Sequence, residues 1–346
     1  MNVPTFWEND LDKVRSVVAN VTRGACSVLT KSAGGRDIYL VEYGEKQDLK
    51  RKANYLSALE SDNHKAYADK EGTKPIVLIV GATHGGEVEG LASVLNLIQA
   101  IETGTDFRGR AYPRLDGVLE QYRLLIIPCL NPDGRARVSY SITPVADQQE
   151  VHIHKFGIWT DGSVVYWRPS FGVHPIKGAV TPMGGYYNDD GVNIHADNVF
   201  APMAPETKAL LKLVDREAPD FTVLLHTGCW KHAKVMQAPY IPGYMGRRLR
   251  EFDERLCTAV EGAGLTYYSI KERGPAISAD DIEPPPPAFT LESAIHHSCG
   301  GLCIVYESAE ASDDEGYAFT LEGILDCHFL LFEETLKYAN TFRGEK

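Results

Sequence analysis

The sequence predicts an α/β fold in which helices pack on a central sheet. Short apolar runs alternate along the chain with amphipathic stretches whose apolar residues recur at helical spacing. The 346 residues are 44% hydrophobic, which is enough to bury a substantial core. Polar residues with metal-binding chemistry follow several of the apolar runs, so the same pattern that predicts the sheet also indicates where a functional site lies.

Five apolar runs are predicted to be buried strands of this sheet. They are residues 37–43, 76–80, 122–127, 221–225 and 302–306. Each is short and rich in Val, Ile, Leu, Phe or Tyr, as strands covered on both faces are.

Four helices are predicted between and after these strands. The first carries apolar residues from Val88 to Ile101, and Pro205 introduces the second. The third presents Met245, Leu249, Phe252, Leu256 and Val260 on one face. The last spans about residues 321–338, and His328 lies on its apolar stripe, where we expect it to pack in the core.

Two segments interrupt this regularity without dividing the chain. Residues 45–74 are rich in Lys, Asp and Glu and are predicted to be an exposed helical insertion. Residues 134–191 are rich in Tyr, Trp, Gly and His with little periodicity, which is typical of functional loops. Pro284 to Pro287 is too short for a domain linker, so we interpret residues 1–346 as a single domain.

Composition excludes two classes of partner. The chain has 35 Lys and Arg against 47 Asp and Glu, a formal net charge of −12, and no basic block that would bind nucleic acid. The longest apolar runs, residues 76–80 and 124–130, are far shorter than the roughly 20 residues that cross a bilayer. We therefore expect no nucleic-acid partner and no membrane-spanning segment.

The cysteines favour a reducing compartment. Seven of them, an odd number, are scattered through the chain, which is typical of free thiols rather than of a disulfide framework. The first 15 residues show no basic segment followed by an apolar run, so no secretory signal is visible. The sequence thus predicts a cytoplasmic protein.

The clearest motif is a metal-binding pattern at the predicted strand ends. Strand 76–80 leads through glycines to His84 and Glu87, and strand 221–225 is followed directly by His226. Two imidazoles and one carboxylate make the three-ligand set of a catalytic zinc site, which keeps a fourth position for water. A third strand ends in Glu307, a carboxylate that can act as general base toward that water.

These motifs, in this order, resemble the zinc carboxypeptidases of the carboxypeptidase A type. The resemblance runs from about Lys74 to the C-terminus and includes His84-x-x-Glu87, Asn131-Pro132-Asp133-Gly134, Tyr166-Trp167-Arg168, Gly191-Val192-Asn193, His226 and Glu307. It implies a single-domain α/β/α sandwich with a central mixed, mostly parallel twisted sheet flanked by helices. It also implies one catalytic zinc ion bound by His84, Glu87 and His226, with Glu307 activating water.

The resemblance assigns two further residues. Arg168 corresponds to the arginine that polarises the scissile carbonyl and stabilises the oxyanion, a role that also makes electrostatic sense beside a zinc ion. Asn193 falls where the family often places a partner for the first ligand histidine, and its side-chain oxygen would fix the tautomer of that imidazole.

The chain departs from the family at the position that binds the substrate carboxylate. The expected Asn-Arg pair is replaced by His195 and Ala196, and a methyl group cannot bind a carboxylate. His195 is a candidate substrate-binding residue, and the candidate replacement cations are Arg135, Arg137, Lys177 and Lys231. No tyrosine that would close over substrate is securely matched, although Tyr267 and Tyr268 lie upstream of Glu307. His296 and His297 lack the spacing of a second metal site.

The leading hypothesis is a zinc-dependent hydrolase that cleaves a peptide bond by metal-activated water, carboxypeptidase-like with atypical carboxylate recognition. Its substrate would be a peptide, including cell-wall or other non-standard peptides, or an acyl amino acid. One alternative is an N-acyl amino acid deacylase of the aspartoacylase and desuccinylase type, although the 139 positions from Glu87 to His226 favour a peptidase. The other is a peptide-binding protein without catalysis, which the retention of Glu307 disfavours.

Overall fold

The computed structural model describes residues 3–115, 117–144, 147–170, 172–228, 232–236, 240–273, 288–310 and 319–342. Its centre is a seven-stranded mixed sheet in the order β1-β2-β4-β3-β7-β9-β8. The strands are β1 (Ala25–Lys31), β2 (Asp37–Tyr43), β3 (Ile76–Val80), β4 (Arg123–Ile127), β7 (Phe221–Thr227), β8 (Lys234–Met236) and β9 (Leu302–Ser308). A separate two-stranded sheet pairs β5 (Gly157–Trp159) with β6 (Val180–Met183).

The middle of the large sheet is parallel. Strand β3 pairs in parallel with β4 and β7, and β7 pairs in parallel with β9. Strands β1, β2 and β8 pair antiparallel at the two edges. Because the carboxyl ends of parallel strands meet at one edge of a sheet, the residues that follow β3, β7 and β9 lie together.

Helices cover both faces of the sheet. They are α1 (Leu11–Ala19), α2 (Tyr55–Glu60), α3 (His64–Tyr67), α4 (Val88–Thr103), α5 (Val118–Gln121), α6 (Pro132–Arg137), α7 (Gln148–Lys155), α8 (Trp167–Ser170), α9 (Pro205–Glu217), α10 (Gly243–Gly262), α11 (Leu291–Cys299) and α12 (Leu321–Phe342).

The alternation of side chains along β3 divides the core into two layers. Val77 and Ile79 pack with α1, α4, α10 and α12 on one face. Ile76, Leu78 and Val80 pack with α9 and α11 on the other face. Since all five residues are buried, β3 lies between the two layers. The predicted fold class, an α/β/α sandwich with a mostly parallel central sheet, is confirmed.

The five strands and four helices predicted from periodicity are all present, with small differences at their ends. Strands 37–43 and 76–80 have the predicted bounds, whereas β7 and β9 each continue two residues further than expected. His328 is fully buried in α12, as predicted, and its Nδ1 lies 2.9 Å from the Ile324 carbonyl oxygen.

The 45–74 segment contains the short helices α2 and α3 and is less exposed than its charge suggests. Leu49, Ala58 and Tyr67 are buried against the core layer of α9 and α11. The Tyr67 hydroxyl also donates a hydrogen bond to the carbonyl oxygen of Asp215 in α9, at 2.9 Å. The segment is therefore attached to the sandwich by apolar and polar contacts.

Two further expectations concern thiols and membranes. Six cysteines in the described part of the chain are free thiols: Cys26, Cys129, Cys257, Cys299, Cys303 and Cys327. Within the described residues, no helix has both the length and the apolar character needed to span a bilayer.

Candidate metal centre

Three side chains from separate parts of the chain converge at the carboxyl ends of β3 and β7. His84 and Glu87 lie in the loop between β3 and α4, and His226 lies near the end of β7. The His84 Nδ1 atom lies 2.9 Å from Glu87 Oε1 and 3.2 Å from His226 Nδ1. His226 Nδ1 lies 3.0 Å from Glu87 Oε2. All three side chains are buried, and in the described residues they form the only group of three or more potential metal ligands whose donor atoms converge.

Glycines allow the loop after β3 to pack directly against a second loop. The Gly85 N–H donates a hydrogen bond to the Gly185 carbonyl oxygen at 2.8 Å. A Cβ atom on Gly85 would lie 2.0 Å from the Arg135 backbone nitrogen, and one on Gly185 would lie 2.7 Å from the Gly86 backbone nitrogen. Only glycine fits such close backbone contact, so these positions hold the His84 loop in place.

Asn193 fixes the tautomer of His84. The Asn193 Oδ1 atom accepts the backbone N–H of His195 at 3.1 Å, which identifies it as the oxygen of the amide. The same oxygen lies 3.0 Å from His84 Nε2, so Nε2 carries the ring proton and Nδ1 presents a lone pair. That lone pair faces the Glu87 carboxylate, an arrangement that is unfavourable unless a cation or proton lies between them.

The donor set therefore fits a metal ion. Burial by itself would raise the pKa of Glu87, but the nearby His84 and His226 imidazoles hold it well below its ordinary value, so Glu87 is ionised. Burial lowers the pKa of His84 and keeps that imidazole neutral, as a metal ligand must be. Two imidazole nitrogens and one carboxylate make the ligand chemistry of a catalytic zinc site.

Tyr186 supports both ligands of the β3–α4 loop. Its hydroxyl donates a hydrogen bond to Glu87 Oε1 at 2.8 Å. Its ring stacks on the His84 imidazole with the centroids 3.7 Å apart and the planes 13° apart. Tyr186 follows Gly185 in the second loop, so the glycine contact between the loops also positions this ring.

Glu307 lies beside the three converging residues. It pairs with His226 in the parallel register of β7 and β9, so the two side chains project from the same face of the sheet. Lys234 is the register partner of Glu307 in the antiparallel pairing of β8 with β9, on the side of β9 opposite to β7. Burial and the Glu87 charge raise the pKa of Glu307 to about 7, against the opposing effect of His226, Lys234 and Lys155. A carboxyl group with this pKa suits proton transfer near neutral pH.

His195 also lies at this centre. Its ring centroid is 4.9 Å from that of His226 and 5.9 Å from that of His84. Burial and the two neighbouring imidazoles hold the pKa of His195 well below its ordinary value. The structure thus brings His195 and Asn193 to the predicted metal ligands.

Arg168 is adjacent in sequence to a residue that lies near Tyr186. It belongs to α8 and is exposed, and its neighbour Trp167 lies with its ring centroid 5.7 Å from that of Tyr186. Within the described residues, no hydrogen bond or ion pair fixes the Arg168 guanidinium, so its role in catalysis stays a prediction.

The two arginines predicted to bind substrate point into the protein instead. Arg135 is buried, and its guanidinium donates to the carbonyl oxygens of Asn9, Val138 and Tyr140 and to Asn9 Oδ1, at 2.8–3.0 Å. Arg137 donates to the Tyr187 and Gly184 carbonyl oxygens and pairs with Asp189. These contacts correct the prediction, because they give both arginines the role of holding backbone in place.

The remaining candidate cations and histidines also have structural partners or lie elsewhere. Lys177 is exposed and pairs with Asp190 at 3.2 Å, and Lys231 lies outside the described residues. His296 Nδ1 lies 2.9 Å from the Gly301 carbonyl oxygen, and His297 Nε2 lies 2.7 Å from that of Tyr240. The Tyr267 hydroxyl donates to Asp253 Oδ1 at 2.7 Å, which places it in the core rather than over the site.

Sequence reasoning missed Tyr186 and Lys234. Tyr186 lies in the aromatic-rich stretch 134–191 that the sequence marks as functional loops, but nothing in the pattern singles it out from its neighbour Tyr187. Lys234 follows a segment with no apolar run, so β8 and its pairing with Glu307 are invisible to a search for buried strands.

Comparison with known proteins agrees with this description. Residues 10–161 match the family model of the zinc carboxypeptidases. No curated protein matches the sequence. The match to the family model includes His84 and Glu87 and ends before Arg168, Asn193, His226 and Glu307.

Solved metallo-carboxypeptidases share the fold. The structure resembles a metallo-carboxypeptidase from Burkholderia cenocepacia with a TM-score of 0.61 and 16% identity, covering 96% of this chain and 69% of the other. A metallo-carboxypeptidase from Pseudomonas aeruginosa, solved with (2-guanidinoethylmercapto)succinic acid, has a TM-score of 0.56 and 12% identity, with 96% and 68% covered. Carboxypeptidase A from Helicoverpa armigera has a TM-score of 0.54 and 11% identity, with 99% and 76% covered.

Proposed function

We propose that this chain is a zinc-dependent hydrolase that cleaves a peptide bond, since residues 10–161 match the zinc carboxypeptidase family model and the fold resembles that of solved metallo-carboxypeptidases. The convergence of His84 Nδ1, Glu87 and His226 Nδ1, with Glu307 paired beside His226, carries this proposal. The chain would act as one catalytic domain on peptide substrates. The six free thiols support the prediction of a reducing, cytoplasmic compartment.

The side chains divide the work of the reaction. His84, Glu87 and His226 hold one zinc ion, which when bound polarises the scissile carbonyl and lowers the pKa of water. Glu307 takes a proton from the attacking water and returns it to the leaving amine. Arg168 stabilises the negative charge that develops on the carbonyl oxygen. Asn193 and Tyr186 orient His84 and Glu87 through the contacts described above.

Recognition of the substrate is expected to differ from that of enzymes that bind a free C-terminal carboxylate through arginine. Ala196 offers no charge, and Arg135 and Arg137 are engaged with backbone carbonyl groups. His195 is the predicted residue that remains beside the metal ligands. We therefore propose a carboxypeptidase-like enzyme whose substrate is not held by an arginine at this position.

Replacing the proposed general base tests this function. In Glu307→Gln, hydrolysis of a peptide library by the zinc-loaded protein should fall by at least a hundredfold, since general-base catalysis typically contributes 10²–10⁴-fold. Zinc content, measured by metal analysis, should stay at one ion per chain. Glu60→Gln on the exposed face of α2 is the matched control and should keep full activity.

Three results would contradict the proposal. An unchanged rate in Glu307→Gln would remove Glu307 from the mechanism. A wild-type protein that binds zinc but hydrolyses no peptide would favour a binding function. Cleavage of N-acyl amino acids in place of peptides would favour a deacylase.

A further inference from the structure

A second acidic group lies beside the proposed metal ligands, on the side of His195. Glu292 is in the first turn of α11, which packs against the 3₁₀ turn Ile194–Ala196. The His195 Nε2 atom lies 3.6 Å from Glu292 Oε2, too far for a hydrogen bond. The His195 ring in turn lies with its centroid 4.9 Å from that of His226, one of the proposed metal ligands.

The His195 and Glu292 side chains each carry one buried polar atom that is unpaired. Glu292 is 7% exposed, and its Oε1 atom accepts a hydrogen bond from Thr290 Oγ1 at 2.6 Å. Its Oε2 atom and the His195 Nδ1 atom have no hydrogen-bond partner among the described residues. We call this pair of side chains the His195–Glu292 subsite.

Leaving a buried carboxylate oxygen unpaired is unfavourable, so Glu292 Oε2 favours any ligand that brings a hydrogen-bond donor. An ammonium group or the NH₂ of a primary amide supplies such a donor. A carboxylate supplies none, so it could bind only if Glu292, whose pKa burial already raises, took up a proton. The unpaired imidazole nitrogen of His195 offers a second contact, as donor or acceptor according to its tautomer.

Neighbouring cations do not reverse this preference. Arg135 and Arg137 turn their guanidinium groups toward backbone carbonyl oxygens, and position 196 is an alanine. The subsite therefore combines an acidic oxygen with an imidazole, and within the described residues no arginine forms a hydrogen bond to its unpaired atoms.

From this geometry we propose that the His195–Glu292 subsite binds a hydrogen-bond-donating group of the substrate, an ammonium or a primary carboxamide, and discriminates against a free carboxylate. This inference rests on the proposed hydrolase function, since it places the substrate next to the zinc ligands. It defines the substrate class as peptides or acyl amides that present an amine or a primary amide, in place of a carboxylate, to the His195–Glu292 subsite.

Three small ligands that differ in one group test the proposal. They are N-acetyl-alanyl-alanine, its C-terminal amide, and the analogue in which an aminomethyl group replaces the carboxylate. Binding is measured by calorimetry to the zinc-loaded Glu307→Gln protein, which keeps the ligands intact during the measurement. We expect the amide and the amine to bind at least tenfold more tightly than the acid, and the amide-to-amine ratio identifies which donor the subsite prefers.

The preference should depend on the charge of Glu292. Adding Glu292→Gln, which keeps the shape of the side chain, should reduce the preference for the amine over the acid by at least tenfold. Adding Glu60→Gln instead should leave it unchanged, because Glu60 lies on the exposed surface of α2. Tighter binding of the acid than of the amide and the amine by the Glu307→Gln protein would overturn the proposal, even if Glu292→Gln failed to fold.

Binding and turnover separate this inference from the proposed function. If the wild-type enzyme hydrolyses peptides but the acid binds best, the hydrolase stands and the subsite proposal fails. If the expected order of binding is found but no peptide is cleaved, the subsite stands and the catalytic proposal fails. Equal affinity for all three ligands also rejects the subsite.

Discussion

The proposed zinc ligands are held in place by residues that are not themselves proposed to bind the metal. His84 has Asn193 at one ring nitrogen and the Tyr186 ring against its face, while Glu87 receives the Tyr186 hydroxyl. Tyr186 thus contacts both ligands of the β3–α4 loop at once. Partners of this kind fix ligand orientation, and their removal typically weakens metal binding 10–100-fold.

Removing the Tyr186 hydroxyl should therefore weaken zinc binding while leaving the fold intact. In Tyr186→Phe the stacked ring remains, but Glu87 Oε1 loses its donor, and we expect the zinc dissociation constant to rise about 10–100-fold in competition titrations with a chelator. Tyr187→Phe is the matched control, because Tyr187 is adjacent and buried and, within the described residues, its hydroxyl makes no hydrogen bond to His84, Glu87 or His226. Equal zinc affinity in both variants would exclude this role for Tyr186.

Sequence can predict which side chains come together where backbone geometry determines the outcome. His84, Glu87, His226 and Glu307 follow or end parallel strands, and parallel strands bring their carboxyl ends together whatever the loops do. Arg135 and Arg137 lie in or at the end of a short helix, where the direction of a long flexible side chain depends on loops far away in sequence. A pattern read along the chain cannot show that Asn9 and Gly184 would accept their hydrogen bonds.

At the scale of elements, the buried strands are predictable and the edge strands are not. Strand β3 is buried at every position and appears in the sequence as a continuous apolar run. Strand β1 is mostly exposed, and β8 has only three residues, so neither produces an apolar signal. Both depend on pairing with a neighbour, β2 or β9, that is already in place. Edge strands of this kind are determined by tertiary contact rather than by local pattern.

Helix α12 shows how a polar residue can belong to an apolar element. His328 is fully buried between Tyr306 and Phe332, and its ring donates to the Ile324 carbonyl oxygen one turn earlier. Burial lowers the pKa of His328 to about 4. The imidazole therefore stays neutral in the folded protein at pH values where it is protonated in the unfolded chain, whose histidine pKa is about 6.5.

This difference makes stability depend on pH in a defined direction. Below about pH 6.5, His328 binds a proton in the unfolded chain but not in the folded protein. The free energy of unfolding therefore falls as pH falls, until about pH 4. The slope due to this residue approaches about 1.4 kcal/mol per pH unit. Urea unfolding of the metal-free wild-type protein and of His328→Leu should show a smaller loss in the variant over this range. Parallel loss in the two proteins would contradict the assignment.

At the scale of the whole molecule, the site joins a part of the chain that the zinc carboxypeptidase family model matches and a part that lies outside that match. The family model covers residues 10–161, which supply His84 and Glu87, whereas His226 and Glu307 come from the part beyond it. Strand β7 inserts between β3 and β9, so the sheet itself brings the two parts together. The order of strands is therefore what completes the site, and an α/β pattern in the sequence does not reveal that order.

Zinc should consequently stabilise the whole fold rather than one loop. Its three proposed ligands come from the β3–α4 loop and from β7, so the bound ion would link neighbouring strands, and an ion that binds only the folded protein stabilises it by about 4 kcal/mol at 1,000 times its dissociation constant. We expect chelation to lower the unfolding temperature measured by calorimetry, and stoichiometric zinc to restore it. His226→Ala removes one of the three ligands, so added zinc should produce a much smaller increase in that variant. An equal increase in His226→Ala would show that zinc binds elsewhere, and no increase in the wild-type protein would exclude a zinc site formed by the folded state.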